Sequence, residues 1–269
     1  MHHGSKQYME VVLTIAGSDT SAGAGIQQDL KTITALGQYG ATVITALTAQ
    51  NTVGVQAVEP VSGEMVARQI RSVMDDLDVR AIKIGMIPTL EVAKAIVEQL
   101  TSSNNQIAEN HSSLLTPHSS LNIVWDPVMI STSGTRLMAE ECIAYLQEHL
   151  APLCTLITPN LPESALFPPP YKAIMLIKGG HAAGEEMTDT LILTDGTRYT
   201  FTAQKIASTN LHGTGCTLSS AIASYLAAGR PLREAVALAK DYLTRAIQAG
   251  QHQHIGHGNG PLGLPLEQK

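Results

Sequence analysis

The chain has 269 residues, enough for one large α/β domain or two small ones, with 44% apolar residues, few aromatics and a formal net charge of −6. That balance lacks the basic surface of a nucleic-acid binder, and no apolar run reaches the roughly 18–20 residues of a membrane-spanning helix. Three scattered cysteines, Cys142, Cys154 and Cys216, give neither a disulfide framework nor a metal-ligand spacing; with no signal peptide in view they predict a reducing cytoplasm.

Met1-His2-His3-Gly4-Ser5 resembles a vector scar, so residues 1–8 are set apart as a tag or disordered start and a single domain is expected over 9–266. Residues 11–16 read as a buried strand that breaks at Gly17-Ser18-Asp19 and passes through Ala22-Gly23-Ala24-Gly25 into a helix over 26–36. Strand, Gly-rich loop and helix begin a dinucleotide fingerprint, but Gln28 stands where its third glycine belongs. No GxxxxGK[ST] occurs, which excludes a P-loop NTPase.

A second strand over 41–49 runs out at Gln50-Asn51-Thr52, followed by a small β-flap over 53–58. A helix is predicted over 62–77, with Ser62 as N-cap and Met65, Val66, Ile70 and Val73 on its apolar face. The next strand, 81–84, ends at Gly85-Met86, and Pro88 opens a helix through residue 100. Residues 101–120 are rich in Ser, Asn and His with no period and read as a long solvated connection.

A strand over 121–125 ends at Asp126-Pro127-Val128, and 138–150 is helical. Strands over 153–157 and 173–177 end at Asn160-Leu161-Pro162-Glu163 and at Lys178-Gly179-Gly180-His181. Residues 190–194 and 198–202 form a hairpin around Asp195-Gly196. Helices over 217–228 and 232–248 follow, then a tail rich in Gly and His. This alternation predicts one α/β domain, a mostly parallel sheet with helices on both faces. Gly17, Gln50, Met86, Asp126, Asn160 and Lys178 all fall at strand C-termini, the edge where open sheets bind ligands.

His212-Gly213-Thr214-Gly215-Cys216 precedes an apolar helix. A helix start offers unpaired N–H groups and a positive dipole end, and glycines let that backbone close on an oxyanion. Gly213, Thr214, Gly215 and Cys216 therefore read either as an anion cradle or as a Gly-rich loop capping a core helix. Cys216 would sit at the rim, where the same field lowers a thiol pKa toward neutrality; the alternative is a small apolar packing residue.

Together these pieces resemble the ribokinase superfamily, and within it the hydroxymethylpyrimidine/phosphomethylpyrimidine kinases. The resemblance is carried by Ile15-Ala16-Gly17-Ser18-Asp19, Gly23-Ala24-Gly25-Ile26-Gln27, Asp29-Leu30-Lys31-Thr32, Ala49-Gln50-Asn51-Thr52 and Lys83-Ile84-Gly85-Met86. Asp126-Pro127-Val128, Thr158-Pro159-Asn160-Leu161-Pro162-Glu163, Lys178-Gly179-Gly180-His181 and the His212–Ser219 stretch complete it. It implies a single-domain ribokinase-like fold and a homodimer. It also implies transfer of the γ-phosphoryl of ATP, with Mg²⁺, to a hydroxymethylpyrimidine and then to its monophosphate in thiamin biosynthesis. The substrates would be small molecules, with no nucleic acid or membrane as partner.

By that resemblance Cys216 is the general base, at a position where many relatives carry an Asp, and Gly213, Thr214 and Gly215 bind the transferring phosphoryl. Lys178 meets the ATP phosphates, or is an exposed strand-end lysine. Asn160 and Glu163 hold Mg²⁺ largely through water, Asn160 also meeting the ATP phosphates, or Glu163 is a helix N-terminal residue favoured by the dipole; Asp126 orients the same waters, or caps a turn. The pyrimidine falls to Ala16, Gly17, Asp29, Gln50, Met86 and Val128. There Asp and Gln match an aminopyrimidine's donors and acceptors, Asp29 having a structural alternative at its helix start. His181 and His212 are either contacts or turn residues, and the spacing of His252, His254 and His257 fits no standard metal site.

Two departures stand out: the 101–120 connection is longer than the family's, and 165–171 is short, with Pro168-Pro169-Pro170 where a crossover helix belongs. Pyridoxal kinase shares these motifs and is the alternative; a non-catalytic ligand-binding relative is the other class.

Overall fold

The computed structural model describes residues 9–111, 121–129, 137–180 and 185–265. Within them the chain runs β1 (Val11–Ser18), α1 (Gly25–Ala35), β2 (Tyr39–Asn51), β3 (Gly54–Pro60), α2 (Gly63–Met74), β4 (Val79–Ile84), α3 (Leu90–His111) and β5 (Asn122–Trp125). It continues through α4 (Glu140–His149), β6 (Leu156–Ile157), α5 (Leu161–Ser164), β7 (Ile174–Ile177), β8 (Glu186–Ile192), β9 (Arg198–Gln204), α6 (Thr214–Ala227) and α7 (Leu232–Gly250). The strands form one sheet in the order β3-β2-β1-β4-β5-β6-β7-β8-β9. From β2 to β7 the pairing is parallel, while β3, β8 and β9 join antiparallel.

Strand alternation sorts the core into two layers. Leu13, Ile15, Ile82 and Ile84 face α2, α3 and α4, while Val12, Ala81, Val124 and Leu176 face α1, α6 and α7. Helices on both sides explain why these strands read as unbroken apolar runs. α6 is buried nearly all round, held between α1 and α7 over the sheet, which is why its sequence carries little amphipathic pattern.

The topology locates the crevice. β1 sends the chain to β2 on one side, and β4 then pairs on the other side of β1. Order reverses at that point, and the carboxyl ends of β1 and β4 open a gap between the connections they feed.

Several expectations are corrected. Ser62 does cap α2 through the Met65 N–H, but Met65 itself is 49% exposed and off the buried face. α3 runs on to His111, so 101–111 is helix rather than loop; residues 112–120 lie outside the described residues, as do 1–8 and His181. Ser and Asn are only weakly unfavourable in a helix, and Thr101, Ser102 and Ser103 turn their hydroxyls back onto the carbonyls four residues earlier. The strand expected over 153–157 is only Leu156–Ile157, preceded by a short 3₁₀ turn over Ala151–Leu153. Residues 158–173 nonetheless make the parallel crossover from β6 to β7, using the single turn of α5 and the proline stretch in place of a full helix.

Candidate active site

A cavity of about 710 Å³ opens at the carboxyl edge of the sheet. Ala16, Gly17, Gln50, Met86 and Val128 line one part of it. Asp126, Asn160, Glu163, Lys178 and the Gly213–Cys216 stretch line another. Residues spread over two hundred positions thus meet because each sits just past a strand's carboxyl end or at a helix start facing that edge.

The mouth of α6 is shaped by Gly213, whose φ of +88° few side chains adopt and where a Cβ would lie 1.9 Å from Gly23 O. The loop after β1 therefore packs directly on the start of α6. A side chain at Gly215 would come 3.1 Å from Asp126 Oδ2 and 3.4 Å from Lys178 Nζ, so the first turn of α6, with the positive end of its dipole, packs beside that pair. Lys178 Nζ lies 2.6 Å from Asp126 Oδ1, which also accepts from Thr158 Oγ1 at 3.2 Å. Burial draws the Lys178 ammonium down, but Asp126 and Glu163 push it up further, so it stays charged.

Asn160 and Glu163 form a capping box on α5: Asn160 Oδ1 accepts the Glu163 N–H and Glu163 Oε2 accepts the Asn160 N–H, both at 2.9 Å. The structural role is real, and it also aims Glu163 at the cavity. Burial and then the Asp126 charge raise the Glu163 carboxyl, against the pull of Lys178.

Cys216 faces the cavity, yet its thiol is not lowered toward neutrality. Burial pushes it up to about 11; Lys83 draws it down, Asp29 and Asp126 add to the rise, and the Gly25 N–H lowers it slightly. Desolvation of a thiolate outweighs the helix field here.

Asp29 does not reach the cavity wall. It is fully buried, accepting from Lys83 Nζ at 2.8 and 2.9 Å, Thr14 Oγ1 at 2.6 Å and Ser220 Oγ at 2.7 Å. Its oxygens are taken, so the pyrimidine contact expected of it is replaced by a structural one beneath the floor. Lys83 was missed in the sequence although a lone lysine within Ala81-Ile82-Lys83-Ile84 is the signal for it. It is 0% exposed and borders the cavity.

Asp19 was also missed as a site residue. Its carboxylate accepts from the Ser21, Gly23 and Ala24 N–H groups and lies 2.9 Å from His212 Nε2, which is 3.1 Å from the Gln50 amide nitrogen. His212 thereby links the loop after β1, the end of β2 and the start of α6.

A crevice at a sheet switch point, a helix mouth aimed at a lysine and two carboxylates, and an antiparallel flap together define a ribokinase-like small-molecule kinase. The family model described as phosphomethylpyrimidine kinase matches residues 19–170 and 169–263, and the chain belongs to that family. The match divides at the short proline stretch. A hydroxymethylpyrimidine/phosphomethylpyrimidine kinase of Rhizobium meliloti is 46% identical over 271 residues, covering 94% of this chain and 96% of that protein. Among solved structures, a phosphomethylpyrimidine kinase of Clostridium difficile has 40% identity and a TM-score of 0.71, over 88% of this chain and 99% of its own. A Bacillus subtilis pyridoxal kinase in an ADP complex has 30% identity and a TM-score of 0.81, over 96% and 98%. The backbone is shared by both activities, so side chains rather than fold separate them.

Proposed function

We propose that the protein transfers the γ-phosphoryl of ATP to the hydroxymethyl oxygen of 4-amino-5-hydroxymethyl-2-methylpyrimidine, and a second phosphoryl to the resulting monophosphate, in thiamin biosynthesis. The observation that carries this is the meeting of Lys178, Asp126, Glu163 and the α6 mouth beside a crevice lined by Gln50 and Met86. Phosphoryl transfer needs positioning and charge neutralisation, which this set supplies. Gln50 presents an amide to the ring's polar edge, and Ala16, Gly17, Met86 and Val128 leave room for its flat face. The apolar wall of Met187, Ala203, Ile206, Leu243 and Ile247 suits the adenine.

The donor set fits Mg²⁺. Asp126 and Glu163 are hard oxygen donors whose like charges already strain Glu163, and the described residues hold no cluster of three or more metal-binding side chains. Mg²⁺ is bound in that way, by one or two carboxylates with water and phosphate completing the shell. When bound it would neutralise phosphate charge; Lys178 and the amides of Gly213 and Gly215 hold the same oxygens from the protein side, while the Thr214 N–H is turned back to Leu211 O at 3.3 Å. Cys216 is the residue placed to take the hydroxyl proton, which it accepts only as a thiolate; burial keeps it a thiol at rest, so its own proton must leave to solvent first.

The chain acts as a cytoplasmic homodimer. Exposed Leu47 and Val53, 53% and 65% accessible, support an interface at the β2–β3 flap, and three free cysteines support the compartment.

The test is a product assay with Mg²⁺-ATP and the hydroxymethylpyrimidine, resolving mono- from diphosphate, with pyridoxal alongside because of the higher TM-score to a pyridoxal kinase. Both pyrimidine phosphates are expected. Cys216→Ala is expected to lower kcat by about 10²-fold with little change in pyrimidine affinity. A strong preference for pyridoxal would reverse the substrate, and binding without product would make this a ligand-binding relative.

A further inference from the structure

The cavity wall carries a further buried ion pair. Asp189 of β8 and Lys240 of α7 meet at 2.7 Å, their side chains 8% and 10% exposed. Alternation puts Asp189 on the same side as Leu191, facing the helices, where an apolar residue would pack as well. A buried pair gives little net stability, so stability alone does not account for it. Its other oxygen does something more specific.

Asp189 Oδ1 accepts the Gly179 N–H at 2.9 Å. Gly179 runs so close to β8 that a Cβ there would lie 1.9 Å from Thr188 O. On the other side, the Lys178 N–H donates to Pro159 O at 2.9 Å. Both peptide units flanking the Lys178 Cα are therefore fixed, one by the neighbouring strand's carbonyl and one by a carboxylate. Just past the end of β7, a carboxylate takes the N–H that a ladder carbonyl would otherwise accept. The side chain launched from this clamp reaches Asp126 under the α6 mouth.

We propose that Asp189 is a positioning residue for phosphoryl transfer: it holds the Lys178–Gly179 peptide so that Lys178 Nζ meets the transferring phosphoryl, with Lys240 balancing its charge. This role rests on Lys178 serving the nucleotide phosphates. Misplacing a group by an ångström costs up to about 10²-fold in rate, whereas binding of the pyrimidine against Ala16, Gly17, Gln50 and Met86 is not affected.

Two uncharged double variants isolate the Gly179 bond. D189N/K240M keeps an acceptor for the N–H; D189L/K240M removes it, and D189A/K240M serves if the leucine variant does not fold. Kinetics with Mg²⁺-ATP and the hydroxymethylpyrimidine are measured beside thermal melting and K178M. The expected result is a kcat about tenfold or more lower in D189L/K240M than in D189N/K240M, with pyrimidine KM within about twofold. Equal kcat in the two double variants, with K178M impaired, overturns the positioning role alone. A K178M enzyme with native kcat overturns the Lys178 assignment and this role with it.

Discussion

Asp19 shows how a single side chain organises a loop. Burial by itself would raise its carboxyl, but hydrogen bonds from His212, Ser21 and Ala24 outweigh that and lower it from 3.8 to about 2. A folded-state pKa below the unfolded one gives stability that is present above pH 3.8 and is lost as pH falls toward 2. The contribution is of order 2 kcal/mol. Asp19→Asn is therefore expected to be less stable at pH 7 and to show a flatter loss of stability between pH 4 and 2, measured by urea unfolding at stepped pH. Parallel slopes for the two proteins would remove Asp19 from the acid transition. Lys83 is the converse case: burial alone would lower it, but Asp29, Cys216 and Asp126 together raise it more, and Asp29 also accepts from Thr14 and Ser220. Removing either partner leaves a buried charge, so the pair is a fixed floor rather than a ligand contact. This is why Asp29, plausible by its place in the sequence, does not touch the cavity.

At the scale of elements, the mouth of α6 is the most demanding piece. Gly213 combines a left-handed backbone with contact on Gly23 O, so Gly213→Ala is expected to lower stability by about 2 kcal/mol or more, read as a drop in Tm, together with a loss of kcat. A native Tm with native turnover would mean the loop relaxes without consequence. Ser62 as a cap and the Asp195-Gly196 hairpin were legible from local sequence, whereas the reciprocal capping box of Asn160 and Glu163 came only from the structure. The far half of α3 was not, because Ser and Asn favour loops locally while burial of Val97 and Leu100 carries the helix onward. Nor was the position of Met65, since a helical period places it near the apolar stripe and only packing decides which edge of that stripe is covered.

For the whole molecule, the switch between β2 and β4 around β1 brings residues from both ends of the chain to one edge. The exposed apolar residues on the flap belong to this scale too. Sedimentation is expected to give a dimer, and charged substitutions at Leu47 and Val53 are expected to shift it to monomer; a native monomer would leave that face unexplained. By itself the sequence determined the α/β alternation, the strand ends that carry polar residues and the family, because apolar period, glycine placement and local motifs are properties of neighbouring residues. Only the tertiary structure decided that Asp29 is a floor, that Cys216 holds its proton, and that Asp189 grips Gly179. Those outcomes depend on desolvation and on which distant groups share a buried volume, and neither is encoded in any local stretch.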